Sequence, residues 1–242
     1  MSWRGFPPGL ELMTDTSDAS WVQERLLARP FATVGALVPD AFDAYARLLH
    51  PAYVGVTGPE LETITWKAVA ERNGRVAHPL MQFERIAGLA DINAQPEWGQ
   101  RPNEGEVPAE LVGPLVSLLR EHTTTPGRCY FSLWEGFGGL DIIPNFSSLP
   151  RVKADGRDHL LFRGPLDSMM RWAGEPTEGW FESPQLWWPE DRAWCVATDI
   201  DLDSTYVGGS RALIERLLSD PALEAVPALV TDRVDVNADT VN

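Results

Sequence analysis

Three aspartates stand out as residues that could do chemistry by type and spacing. They are Asp199, Asp201 and Asp203, within Thr198-Asp-Ile-Asp-Leu-Asp-Ser-Thr-Tyr-Val-Gly-Gly-Ser210. At period two on a continuing strand they would share one face. Carboxylates that close raise one another's pKa unless a cation or hydrogen-bond donors intervene, so a cation site is one reading of the spacing. A calcium loop starting at Asp199 would need Gly at its sixth position and Glu at its twelfth; Ser204 and Ser210 stand there instead. The competing expectation is a strand that leaves the core with solvated aspartates and turns into a helix capped by Ser210. Gly208-Gly209-Ser210 could offer free N–H groups to an anion, but the flanking carboxylates oppose a phosphate.

Tryptophan is the second chemical feature, with ten in the chain. Trp187 and Trp188 are adjacent, so on a strand they point to opposite faces, and one can be buried while the other lines a surface. An exposed ring would serve as a stacking platform for a sugar or as an interface anchor. Glu135 follows the apolar run Cys129-Tyr-Phe-Ser-Leu-Trp134, where a strand-end carboxylate could face a cleft. Asp199, Asp201, Asp203, Trp187, Trp188 and Glu135 are therefore the candidate binding residues.

No catalytic residue, metal ligand set or cofactor is assigned. His50, His78, His122 and His159 lack zinc-site spacing, and neither Cys129 nor Cys195 has a partner at short range. Both cysteines sit in apolar, strand-like runs and read as buried free thiols. There is no Gly-x-Ser-x-Gly, no Gly-x-Gly-x-x-Gly and no phosphate loop, and Gly136-Phe-Gly-Gly139 reads as a short turn. Asp201-Leu-Asp203-Ser-Thr205 has the outline of the phosphatase nucleophile of the haloacid-dehalogenase family, but the lysine that chemistry needs downstream is absent.

The net charge is −15, from 35 acidic and 20 basic residues. That disfavours nucleic acid and anionic membrane as partners and leaves room for a basic protein or a small-molecule ligand. The acid is concentrated: from Phe181 onward twelve carboxylates face four arginines. No apolar run is long enough for a membrane span and the N-terminus lacks signal-peptide layout, so a cytoplasmic location is expected.

The elements that must position these residues read as follows. Helices are predicted over Asp18–Ala28, from Phe42 to Leu49 (Phe42, Tyr45, Ala46 and Leu49 form an i, i+3, i+4, i+7 stripe), over Leu61–Arg72, through Leu111–Glu121 and over Ser210–Leu218. Strands are predicted at Phe31–Val38, Arg128–Trp134, Asp158–Phe162, Gln185–Trp188 and Trp194–Ile200, with a short helical stretch at Asp167–Trp172. Asn93–Val107 reads as a linker-like loop, and the tail from Asp235 as frayed. The expected fold is α+β in a single domain over 1–242, with a division into sub-lobes 1–125 and 126–235 as the alternative, a helix-rich N-terminal half packed on a mainly antiparallel or mixed sheet from the C-terminal half.

Three segments, Val34–Pro51, Cys129–Gly136 and Asp191–Ser210, resemble a family of uncharacterised actinobacterial proteins, which implies no mechanism. Leu37-Val-Pro-Asp-Ala-Phe42 with Tyr45 is also similar to the helix-opening segment of SMI1/KNR4 (SUKH) proteins, although the glycine-rich segment that should follow is missing. That resemblance implies an α+β interaction module of the toxin-immunity kind. The leading expectation is a non-enzymatic interaction protein with an acidic surface. The alternative is an enzyme or binder for a small molecule or sugar, with an aromatic- and carboxylate-lined cleft.

Overall fold

The computed structural model describes residues 9–27, 32–55, 61–91, 94–137, 140, 143–172 and 183–242. The Ala28 end of the first predicted helix, Phe31 of the first predicted strand, Asn93 at the start of the predicted loop, Gly138-Gly139 and Trp180 lie outside them.

In chain order the strands are β1 Glu11–Leu12, β2 Ala44–Leu49, β3 Ala52–Val54, β4 Glu62–Ile64, β5 Gly99–Gln100 and β6 Cys129–Trp134. They continue with β7 Val152–Ala154, β8 Arg157–Gly164, β9 Leu186–Pro189, β10 Trp194–Ala197, β11 Ser204–Gly209 and β12 Ala225–Ala228. The α-helices are α1 Ser20–Leu27, α2 Trp66–Arg72, α3 Phe83–Ala87, α4 Ala109–Glu121, α5 Ser168–Trp172 and α6 Arg211–Ser219. Nine strands form one sheet in the order β1-β8-β6-β9-β10-β11-β2-β12, with β7 beside β8, and every pairing in it is antiparallel. A small sheet, β4-β3-β5, is separate.

Alternation along the strands sends residues to two covered faces. Ala46, Leu48, Phe131, Leu133, Trp187, Val196 and Val207 meet Leu115 of α4 and Leu213 and Leu217 of α6. Tyr45, Tyr130, Leu161, Trp188, Cys195 and Tyr206 meet Val22 and Leu26 of α1. A third cluster around Trp66, Met81 and Phe83 joins α2 and α3 to the end of β2, where the Trp66 indole donates to the His50 carbonyl at 2.7 Å.

The α+β class is as expected, but the segregation of helix and sheet along the chain is not. The predicted Phe42–Leu49 helix is β2, an inner strand between β11 and β12. A strand buried on both faces reads as a continuous apolar run, and its spacing satisfies a helical stripe by coincidence. Phe31–Val38 is no strand over its described part; Val34–Ala36 is a 3₁₀ turn. The predicted Leu61–Arg72 helix begins only at Trp66, after β4. Thr65 caps it, accepting from the Ala68 N–H at 3.2 Å, and Glu224 accepts from the Trp66 and Lys67 N–H groups at 2.6 and 2.8 Å. The other predicted helices and strands fall close to expectation, except that the Trp194–Ile200 strand ends at Ala197, and α3, β7, β11 and β12 are additional; Ser210 caps α6 by accepting from Leu213 at 3.2 Å.

Two segments read as loose are ordered parts of the fold. Within Asn93–Val107, β5 pairs with β3 and Arg72 lies 5.6 Å over the Trp98 ring. The tail does not fray: Asp239 is buried and accepts from the N–H groups of Val241 and Asn242, both at 2.9 Å. Although burial opposes it, these and further bonds from the Asn242 side chain and Gln82 hold the Asp239 carboxyl well below the usual carboxylate range.

Candidate functional site

The β10–β11 hairpin does not carry its aspartates on one strand face. β10 stops at Ala197 and β11 starts at Ser204, so residues 198–203 form the connecting loop. Asp199 closes that loop locally, its Oδ1 accepting from the Asp201 N–H at 2.9 Å. The neighbouring β7–β8 hairpin ends beside it in Asp155-Gly156, both at positive φ (48° and 83°), the demand of a tight two-residue turn. With the Arg101–Glu104 segment, Leu26 of α1, Leu37 and the Val234–Val236 stretch of the tail, these loops enclose a cleft of about 500 Å³ at one end of the sheet.

Its walls are sorted by chemistry. Leu26, Leu37, Leu202, Val234 and Val236 supply apolar surface. Against it stand seven carboxylates (those of Asp199, Asp201, Asp203, Asp155, Asp235, Glu84 and Glu104) and only two arginines, Arg101 and Arg157.

Arg157 organises the mouth. Its Nη1 donates to Asp199 Oδ2 at 2.7 Å and to Asp155 Oδ2 at 3.2 Å, and its Nη2 to Asp201 Oδ2 at 3.0 Å. The guanidinium carbon lies 5.7 Å from the Trp134 ring centroid. Burial opposes its charge, but Asp199, Asp155 and Asp201 together raise its pKa above the ordinary arginine value. The second oxygen of Asp155 bonds His159 Nε2 at 3.0 Å.

Asp203 turns inward, its side chain 12% exposed, with Oδ1 3.7 Å from Arg47 Nη2 and accepting from Ser204 Oγ at 3.3 Å. Burial pushes its carboxyl up, opposed by Arg47 and reinforced by Glu84. Arg47 is itself pinned, donating from Nε to Ser204 Oγ at 2.9 Å and from Nη1 to the Met81 carbonyl at 2.7 Å, over the Trp66 ring.

The segment that carries Arg101 and Glu104 to the cleft is fixed from inside the sheet through Asn103. His50 lies between the Asn103 carbonyl, 2.7 Å from Nδ1, and Thr205 Oγ1, 2.8 Å from Nε2. A carbonyl only accepts, so Nδ1 carries the hydrogen and Nε2 accepts from Thr205. Burial lowers the His50 pKa to about 4, so the ring is neutral near pH 7.

Comparison with protein-family models, curated proteins and solved structures finds no match.

All three predicted aspartates line the cleft, Asp199 and Asp201 on Arg157 and Asp203 beside Arg47. The other candidates do not. Trp187 and Trp188 are both buried, one in each core: Trp188 stacks on Tyr130 at 5.7 Å, and Trp187 meets Trp194 edge-on at 5.5 Å. The sheet is covered on both faces, so neither ring is left to line a surface. Glu135 is occupied by Arg151, whose Nε is 2.5 Å from Oε2, and lies away from the cleft lining.

Reading the sequence missed Arg157, Arg101, Glu84, Glu104, Asp155 and Asp235. For Asp155 and Arg157 a signal existed: Asp155-Gly156 between two alternating segments marks a hairpin, with Arg157 the first residue after it. Arg101 and Glu84 come from unrelated segments that only the fold brings together.

No aromatic, serine, threonine, cysteine, histidine or lysine side chain lines the cleft among the described residues. Cys129 and Cys195 are buried free thiols, and burial raises both, Cys129 to about 12. No group of three or more His, Cys, Asp or Glu among the described residues is placed to hold a metal ion. No helix among them is long and apolar enough to cross a membrane.

Proposed function

We propose that this protein is a non-enzymatic interaction module, immunity-like in its logic, whose acidic cleft receives a basic side chain of a partner protein. The observation that carries the reading is the lining itself: seven carboxylates against two arginines, still in acidic excess after Arg47 beside Asp203 and Arg233 on Asp235 are counted, with apolar surface in the same cleft of about 500 Å³. An arginine or lysine has this dual character, an apolar stem ending in a cation. A cleft of one dominant charge sign also focuses its field and steers an oppositely charged partner. No aromatic side chain lines the cleft among the described residues, which weighs against sugar stacking.

Calorimetric titration with a short arginine-rich peptide, beside a glutamate-rich peptide of the same length, tests this. The arginine peptide should bind and weaken by about tenfold between low and high salt, since exposed charges are screened beyond roughly 10 Å. Replacing the rim acids together (Glu104→Gln, Asp201→Asn, Asp235→Asn) should remove most of that binding. Salt-independent affinity, or equal binding of the two peptides, would overturn the reading.

A further inference from the structure

Two oxygens in the lining of the cleft are open and unanswered. Gln82 is 6% exposed and lines the cleft. Its Nε2 donates to the Leu80 carbonyl at 3.4 Å, and because a carbonyl only accepts, that contact fixes which end of the amide is nitrogen. The amide oxygen, Oε1, accepts no hydrogen bond among the described residues, and it is not sealed from solvent as Arg101 Nη1 and Glu84 Oε1 are. Asp203 repeats the pattern. Its Oδ1 faces Arg47 and Ser204, while Oδ2 accepts no hydrogen bond among the described residues and keeps accessible surface. Arg47 ties the two residues together. Its Nη1 donates to the carbonyl of Met81, next in the chain to Gln82, and its Nη2 stands 3.7 Å from Asp203 Oδ1.

One of these acceptors is neutral and the other charged, and that combination discriminates between cations. Around Asp203, the carboxylates of Asp203, Glu84 and Glu104 stand against the guanidinium groups of Arg47 and Arg101. The surplus is a single negative charge, so a neutral donor would satisfy Gln82 and leave that charge unanswered. An ammonium is a compact, strongly hydrated point charge. It gains more beside Arg157, where Asp155, Asp199 and Asp201 share one guanidinium. A guanidinium is weakly hydrated, spreads its charge over a plane and carries its donors in a fixed fork. It can therefore donate to a neutral amide oxygen and to a carboxylate oxygen at once.

We infer that the cleft selects arginine over lysine, the guanidinium of a partner's arginine donating to Gln82 Oε1 and Asp203 Oδ2. The methylene stem of that arginine is matched by the apolar surface of Leu37, Leu202 and Val234 in the same cleft. Gln82 is thus a specificity-determining residue, with Asp203 as its charged companion. This rests on the basic-partner reading above and narrows the partner's residue to one.

The test compares N-acetyl-arginine methylamide with N-acetyl-lysine methylamide, which differ only in the side chain, by NMR titration of the intact protein. The arginine compound should bind about tenfold more tightly, as expected for hydrogen bonds in which one partner is charged. It should also move the side-chain amide signals of Gln82, which the lysine compound should leave in place. Gln82→Met keeps the backbone N–H that bonds Asp239 and removes Oε1. It should bring the ratio of affinities close to one, with the amide spectrum confirming that the variant is folded. Equal affinity of the two compounds for the unmodified protein, or a preference for lysine, would overturn the arginine inference and leave the basic-partner reading standing. Binding of neither would overturn both. A preserved ratio in folded Gln82→Met would remove Gln82 from the inference and so overturn it. Unmoved Gln82 side-chain signals in the unmodified protein would do the same, whether or not the variant folds.

Discussion

Arg157 Nη1 lies 2.7 Å from Asp199 Oδ2, and this pair ties the turn of one hairpin to the loop of the next. The two residues are 42 positions apart; Arg157 opens β8 directly after the Asp155-Gly156 turn, Asp199 lies in the β10–β11 loop, and both line the cleft. The cleft mouth is therefore held by charge across two loops rather than by the sheet ladder.

Replacing Arg157 with Met should loosen that mouth and destabilise the fold by about 1–3 kcal/mol, because the poorly exposed Asp199 and Asp155 would lose their cationic partner and keep only the Asp201 N–H and His159 bonds. A double-mutant cycle in urea separates the partners. Coupling of Arg157 to Asp199 should be of order 1 kcal/mol, whereas coupling to Asp201, which is 76% exposed, should be close to zero. Equal coupling to both would contradict the geometry.

The tryptophan pair gives a second prediction. Trp187→Ala and Trp188→Ala should each cost about 3–5 kcal/mol, the penalty for emptying a packed aromatic site. A surface ring would cost less than about 0.5 kcal/mol. Chemical denaturation of the two variants distinguishes these, and a small loss for either would place that ring outside the core.

Acid sensitivity follows from His50. Its folded pKa is lowered to about 4, below its unfolded value near 6.5, so the unfolded chain binds the proton first. The stability linked to neutral His50 is fully present above pH 6.5 and is lost as pH falls from there toward 4. The loss should reach about 3 kcal/mol. Asp203 and Glu224, with raised carboxyl values, act in the opposite sense, adding stability as pH falls through their folded pKa. The measurement is therefore the difference in unfolding free energy between the unmodified protein and His50→Gln across pH 7 to 4. A difference that does not change with pH would show that His50 does not titrate as a buried neutral ring.

Gly208 gives a packing prediction. A Cβ there would lie 2.5 Å from Phe42 Cδ2 and 2.9 Å from both Tyr45 Cε1 and Val38 Cγ1. Gly208→Ala should cost roughly 1–3 kcal/mol by overpacking, read as a lowered denaturation midpoint; an unchanged midpoint would contradict the close approach. The residue is a packing necessity within β11 rather than an anion cradle.

Much of the C-terminal half was legible in the sequence because its strands are short apolar runs broken by turn residues, and α6 carries both its cap and its stripe. β2 was not. Ala44–Leu49 is buried on both faces, and Arg47, which would break an apolar pattern, is held inside by Ser204 and the Met81 carbonyl. The three aspartates were found by spacing, yet for a geometric reason that does not hold: the loop, not a strand face, brings them to the cleft. Arg101 lies in a polar stretch that reads as linker, and nothing local announces that Glu84, from another segment, meets it. Such long-range pairs are set by topology rather than by local pattern.

The most direct test of the account is a backbone-amide NMR titration with N-acetyl-arginine methylamide, followed residue by residue. Shifts should concentrate in residues 101–104, 155–157, 199–203 and 234–236, the segments that surround the cleft, and should shrink as salt rises. Shifts that gather elsewhere, or an unchanged spectrum at saturating ligand, would contradict the assignment of this cleft to a basic partner.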